Sequence, residues 1–168
     1  MLKIGIIGLG KMGQIRVDAI LKSGQAVIDS IYDPDYDVTL PFNSVDSAED
    51  IINNQAIDAV FICTPNYLNA SLTIKALKSG KHVFCEKPPT MNLDELEEVK
   101  SENQRTDSIL MYGFNHRYHE SIIKMKSLVD SGSFGKVIWM RGRYGKSVDK
   151  TFFDSWRAKR KYSGGGIV

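Results

Sequence analysis

A run of β-forming residues, Leu2 to Ile7, stops at Gly8-Leu9-Gly10-Lys11-Met12-Gly13, and a segment with helical spacing follows at once. Glycines spaced Gly-x-Gly-x-x-Gly between a strand and a helix leave few folds open. Gly8 permits a tight turn, Gly10 lets an outside group approach the backbone, and Gly13 lets helix and strand pack closely. The helix start adds unpaired N–H groups and the positive end of a dipole, so the turn suits a pyrophosphate. A glycine-rich turn with no ligand is the plain alternative, and the strand–helix setting weighs against it. No Gly-Lys-Ser/Thr follows, which disfavours a P-loop nucleotidase.

The pattern beyond the glycines alternates strand and helix. Met12, Ile15, Ala19 and Ile20 mark a helix from Lys11 to Ser23, closed by Gly24. Strands are expected at Val27–Tyr32, Asp58–Cys63, His82–Cys85 and Ile109–Phe114. Helices are expected within 44–54, over Asn66–Ser79 before Gly80, and from Asn92 to about Gln104, where Asn92 and Glu95 form a capping pair. Asp35 to Asn43 reads as loop. Strands apolar on both faces, alternating with helices, imply an α/β, doubly wound (Rossmann) parallel sheet.

The character changes after Phe114. Ile122, Met125 and Val129 mark an amphipathic helix ending at Ser131-Gly132, and Lys136–Tyr144 reads as a long strand. Residues 1–115 are therefore expected to form the dinucleotide-binding domain, and 116–168 the beginning of an incomplete α+β C-terminal domain. A lone strand at Lys136–Tyr144 leaves backbone groups unpaired. The segment after about Ser133 is expected either to be loosely ordered or to pair with another chain.

Composition excludes several classes. A formal net charge of +2 is too small to argue for nucleic acid or an anionic membrane. The basic run Arg157-Ala158-Lys159-Arg160-Lys161 has no aromatic stacking platform around it and reads as a solvated or substrate-facing loop. No segment has the length and apolarity of a membrane span, and the N-terminus lacks the features of a signal peptide. Cys63 and Cys85 lie in apolar stretches without CxxC spacing, as buried free thiols of a reducing compartment would. A cytoplasmic protein with no metal site is expected.

Further residues carry candidate chemistry. Asp33 ends the second strand, where an acid accepts hydrogen bonds from adenosine ribose hydroxyls and repels a 2′-phosphate, so NAD is favoured over NADP. Asp33 could equally cap a turn with Pro34, and Asp35 is a substitute if the strand ends later. Cys63-Thr64-Pro65-Asn66 sits at a strand end, on the edge where open α/β sheets bind ligands. Thr64, Pro65 and Asn66 could contact the cofactor, or Pro65 could stop the strand and Asn66 cap the helix. Glu86-Lys87-Pro88-Pro89 lies on the same edge. A lysine there could exchange a proton with a substrate oxygen if its pKa were lowered, although lone lysines are usually solvated.

The series Gly5-Ile6-Ile7-Gly8-Leu9-Gly10-Lys11-Met12-Gly13, Cys63-Thr64-Pro65-Asn66, Gly80-Lys81-His82-Val83-Phe84-Cys85-Glu86-Lys87-Pro88 and Gly113-Phe114-Asn115-His116-Arg117-Tyr118 resembles the Gfo/Idh/MocA oxidoreductase family. The resemblance runs along essentially the whole chain, and the segment through Glu86-Lys87-Pro88 is its most specific part. It implies that Lys87 is the active-site lysine, that Glu86 and Asn66 help hold the cofactor, and that Asn115 and Arg117 lie near nicotinamide and substrate. Trp156-Arg157 resembles a tryptophan–arginine element near the cofactor. The implied reaction is reversible hydride transfer between nicotinamide and a hydroxyl-bearing carbon of a sugar, nucleotide sugar or inositol. A full-length form would associate with copies of itself.

The chain departs from the family pattern in two places. Many members have a histidine where this chain has Asn69. The family also follows its glycine run with an Asp-x-x-x-His type element that supplies the catalytic histidine, whereas this sequence ends two residues after Gly166. His82 reads as structural; His116 and His119 are poor substitutes. The expectation is a fragment with impaired catalysis, with a non-catalytic NAD-binding protein as the alternative.

Overall fold

The computed structural model describes residues 1–35, 41–143, 145 and 147–164. Strands β1 (Leu2–Ile7), β2 (Ala26–Tyr32), β3 (Asn43–Ser44), β4 (Ala59–Ile62), β5 (His82–Cys85) and β6 (Leu110–Tyr112) form one sheet in the order β3-β2-β1-β4-β5-β6. Every adjacent pair is parallel. This order is the doubly wound arrangement, which reverses direction beside β1 and opens a crevice at the strands' carboxyl ends.

Helices α1 (Lys11–Ser23), α2 (Ala48–Asn53), α3 (Asn66–Lys78) and α4 (Leu93–Asn103) are the crossovers. Two buried clusters cover the two faces of the sheet, as parallel strands require. One contains Ile4, Ile6, Val17, Ile20 and Ile31; the other contains Ile51, Ile57, Val60, Ile62 and Leu77. Burying each such side chain contributes roughly 1.5–3 kcal/mol.

Local chemistry sets several boundaries. Gly24 takes the left-handed conformation (φ 64°) that closes α1. Asn92 accepts from the Glu95 amide, while Glu95 Oε2 accepts from the Met91 amide, which opens α4 as expected. The short helix expected within 44–54 forms as Ala48–Asn53: Ser47 caps it by accepting from the Asp50 amide, while Asn43–Ser44 pairs with Ser30 and Ile31 as β3. Asn66 is the first residue of α3 rather than its cap, a position held by Pro65. Proline suits that boundary because its missing N–H has no partner to lose there.

Lys81 is 4% exposed, and its ammonium donates to the carbonyls of Asn54 (2.7 Å) and Ile57 (2.9 Å), tying the turn before β4 to β5. Burial pulls its pKa below the ordinary lysine range, opposed by the nearby Asp58 charge. His82 is structural, accepting at Nδ1 from the Ile109 amide.

Beyond β6 the chain forms a 3-10 turn at Asn115–Tyr118 and helix α5 (Glu120–Asp130). The strand expected at Lys136–Tyr144 does not form: 136–143 has no regular structure and is exposed, while Tyr144 lies outside the described residues. A strand exists only against a neighbour that accepts its N–H groups, and this segment has none among the described residues. Further 3-10 turns (Lys150–Asp154 and Trp156–Ala158) lead to a short helix, α6 (Arg160–Ser163), which returns to α3 through Tyr162 against Tyr67, 5.2 Å between ring centroids.

The glycine turn gives a direct test. A Cβ at Gly13 would lie 2.1 Å from the Gly8 carbonyl oxygen, whereas one at Gly10 meets nothing within 4 Å. Gly13→Ala should therefore reduce the unfolding free energy by roughly 2 kcal/mol or more, in the manner of overpacking. Gly10→Ala, at the helix cap, should cost less than about 1 kcal/mol. Equal losses in denaturant unfolding would contradict this packing.

Candidate functional site

The carboxyl ends of the central strands are stitched together one residue past the sheet. Gly8 donates to the Tyr32 carbonyl (2.8 Å), Cys63 to Ile7 (2.7 Å), Glu86 to Ile62 (2.9 Å) and Gly113 to Cys85 (2.8 Å). The glycine turn, Asp33, Thr64-Pro65-Asn66, Glu86-Lys87 and Asn115 thus all leave the sheet along one edge.

Gly8 needs its left-handed φ of 96°, and a Cβ there would lie 2.7 Å from the Cys63 carbonyl oxygen. Gly10 is exposed and open, and Lys11 and half-buried Met12 begin α1 beside it. Asp33 Oδ2 accepts from the Leu9 amide at 2.5 Å, and Oδ1 accepts from the Asp35 amide at 2.9 Å. One carboxylate therefore braces the glycine turn and also closes the turn with Pro34, the second of its expected roles. Asp35 is held through its backbone.

Glu86 is 6% exposed, and Oε1 receives both Nε (2.8 Å) and Nη2 (2.5 Å) of Arg16. The Arg16 guanidinium also lies 4.8 Å from the Phe84 ring centroid. A Cβ on Gly113 would stand 2.9 Å from Glu86 Oε2, so the first residue after β6 must be glycine for this carboxylate to fit. Lys87 follows, exposed, joined to Pro88 by a cis peptide. A cavity of about 330 Å³ is lined by Lys87, Phe114, Asn115, His116 and Arg117.

Asn69 is fully buried. Its Oδ1 accepts from Thr64 Oγ1 (3.0 Å), and its Nδ2 donates to the carbonyls of Glu86 (3.1 Å) and Pro88 (2.8 Å). Asn66 Nδ2 donates to the Ser163 carbonyl (3.0 Å), so α6 reaches the mouth of this edge. Arg157 lies over the neighbouring Trp156 ring, 4.6 Å from its centroid, and no described contact joins it to the glycine turn.

Sequence reasoning passed over Arg16 and read Asn69 only as a departure. A signal existed for Arg16: it stands three residues after Gly13, on the face of α1 that buries Val17 and Ile20. Asn69 carried no such signal, because both partners of its amide nitrogen are carbonyls of a distant loop.

A larger open groove of about 540 Å³ lies between α3 and α4, with Asp94, Glu97, Glu98 and Glu102 in its walls. Four carboxylates there outnumber the cations Lys78 and Arg105, which disfavours an anionic dinucleotide, so the edge carrying the glycine turn is the better candidate. Among the described residues no group of three or more His, Cys, Asp or Glu could hold a metal, and no helix is long and apolar enough to cross a membrane.

Cys63 and Cys85 are free thiols behind this edge. Burial, with the Glu86 charge adding to it, pushes both up to about 12. Burial also raises the Tyr112 phenol. Groups whose folded values are raised stabilise the fold fully below their unfolded values, and that stability is lost as pH rises toward the folded ones. Thermal melts should therefore fall between about pH 9 and 12, and neither thiol should react with an aromatic disulfide reagent at pH 8 until the chain unfolds. Rapid labelling of the folded chain would contradict the burial.

The pattern described as "Oxidoreductase family, NAD-binding Rossmann fold" (Gfo/Idh/MocA) matches residues 2–114. The chain is 32% identical over 142 residues to the myo-inositol 2-dehydrogenase of Thermotoga maritima, covering 80% of this chain and 42% of that protein. It is 31% identical over 128 residues to the levoglucosan dehydrogenase of Pseudarthrobacter phenanthrenivorans, covering 75% and 33%. The crystal structure of myo-inositol 2-dehydrogenase from Lactobacillus plantarum superposes with a TM-score of 0.76 at 29% identity, covering 82% of this chain and 43% of that one. The chain thus spans less than half the length of these relatives. By the match over residues 2–114, together with its sheet order, glycine turn and Glu86-Lys87-Pro88 loop, the chain belongs to the Gfo/Idh/MocA oxidoreductase family and carries its NAD-binding Rossmann fold.

Proposed function

We propose that this chain binds NAD(H) along the carboxyl edge of its sheet and serves hydride transfer to or from a hydroxyl-bearing carbon of a sugar, nucleotide sugar or inositol. The observation that carries the proposal is the open face of Gly10, where a side chain would meet nothing, beside the free end of α1. That space suits a pyrophosphate, which would take the N–H groups of the first helical turn.

Gly8, Gly10, Lys11, Met12 and Gly13 form the phosphate cradle in this reading. Asp33 faces the adenosine ribose, favouring NAD over NADP, and Thr64, Pro65 and Asn66 flank the dinucleotide. Glu86 serves from beneath, through Arg16. Asn115 lies toward the nicotinamide, and Arg157 is assigned to the cofactor with α6 as its tether to the edge.

When bound, the nicotinamide supplies the hydride acceptor or donor. Lys87 holds or moves the proton at the substrate hydroxyl oxygen, and Arg117 orients the substrate from the wall of the shared cavity. Inositol and levoglucosan, the compounds named for the relatives, are both polyhydroxylated rings and fit such a cavity in kind. Residues 116–168 begin a second unit in this reading, and self-association belongs to the whole protein.

NADH fluorescence titrations test the proposal. Wild type should bind NADH at least about tenfold more tightly than NADPH, a difference of roughly 1.4 kcal/mol. Gly10→Ala should abolish binding while the chain stays folded. Asp33→Ala should narrow the cofactor preference and loosen the turn it braces. Equal affinity for both cofactors would remove the role of Asp33, and unimpaired binding by Gly10→Ala would remove the cradle.

A further inference from the structure

The loop carrying Lys87 is anchored on both sides of that residue by side chains from other elements. Asn69, on α3, uses one amide nitrogen to bond the carbonyls of Glu86 and Pro88, the residues immediately before and after Lys87. Its oxygen is taken by Thr64 at the end of β4. The amide therefore spends both donors and its acceptor on two loops of the candidate edge. From the opposite side, Arg16 on α1 grips the Glu86 carboxylate with two nitrogens. Both partners of that ion pair are largely buried, with side-chain exposures of 15% and 7%.

The arrangement does more than fill space. Lys87 is exposed, and a lysine side chain carries about 2 kcal/mol of rotamer entropy, so its amine can be presented reproducibly only from a fixed backbone. Asn69 fixes that backbone. Arg16 sits one turn beyond Gly13, so the helix proposed to receive the pyrophosphate also holds the loop of the proposed proton-handling lysine.

We propose that Asn69 and Arg16 are positioning residues for Lys87: Asn69 through the carbonyls that flank it and Arg16 through Glu86. The proposal rests on the reading of Lys87 as the proton-handling group. Ligand-induced movement at the glycine turn is thereby linked to Lys87 along α1 and the Arg16–Glu86 pair.

Reductive methylation with ¹³C-formaldehyde places an NMR reporter on the Lys87 amine, identified by its loss in Lys87→Arg. In wild type the reporter should be displaced from the cluster of solvated lysines by the Phe114 ring, its neighbour in the cavity. Asn69→Asp keeps the size and the bond from Thr64 but replaces both donors with an acceptor facing two carbonyls. Arg16→Met keeps the stem and removes the grip; Arg16→Lys serves if Arg16→Met fails to fold, and Asn69→Ala serves if Asn69→Asp does. In each folded variant the Lys87 signal should collapse into the solvated cluster, and the shift that NADH induces in wild type should be lost. An unchanged Lys87 signal in variants that merely melt earlier would overturn the proposal and leave both residues structural. A wild-type chain whose signal ignores NADH would sink the cofactor reading, while the cofactor-free signal would still decide the clamp.

Discussion

Helix α1 approaches the end of β1 so closely that no methyl group fits between Gly13 and the Gly8 carbonyl. The rest of the edge depends on that contact. It sets the uncapped start of α1 beside the open face of Gly10 and Arg16 beside Glu86. A side chain at Gly13 would lift the helix and take Arg16 with it. The same closeness explains the glycine at 113, because the carboxylate that meets Arg16 fills the space where a Cβ would stand.

The Arg16–Glu86 pair is not best understood as a source of stability. Taking two charges out of water consumes much of what their attraction returns, and such pairs often contribute little net free energy. Its consequence here is geometric. With Asn69 on the other side, the loop between β5 and α4 is bonded to α1, α3 and, through the Glu86 amide, the Ile62 carbonyl of β4. The backbone on either side of Lys87 is thereby tied to three elements, which suits a site that must hold a long, flexible, charged ligand in one pose.

Much of this was legible from the sequence, for physical reasons that differ by element. Strands buried on both faces give unbroken apolar runs, so β1, β4 and β5 were found nearly to the residue. Capping chemistry is local, so Asn92 with Glu95 located the start of α4. β3 was hidden because a two-residue strand has no period. The strand expected at Lys136–Tyr144 has a strand's composition without a strand's neighbour, and pairing is not a property of the segment itself. Asp33 was placed correctly at a strand end, but its bond to the Leu9 amide depends on how two loops meet. Arg16 meets Glu86 70 residues away, and Asn69 bonds carbonyls 17 and 19 residues away besides Thr64 at five, so neither contact is set by local sequence alone.

The proposed dinucleotide site is the carboxyl edge of the sheet at the glycine turn, and not the groove between α3 and α4 lined by Asp94 and Glu98. Amide chemical-shift mapping of the ¹⁵N-labelled chain during an NADH titration tests it most directly. The largest saturable shifts should fall on 8–13, 33, 63–66, 86–87 and 113–115. Saturable shifts centred on α3 and α4 around Asp94 and Glu98, or none at millimolar NADH, would contradict it.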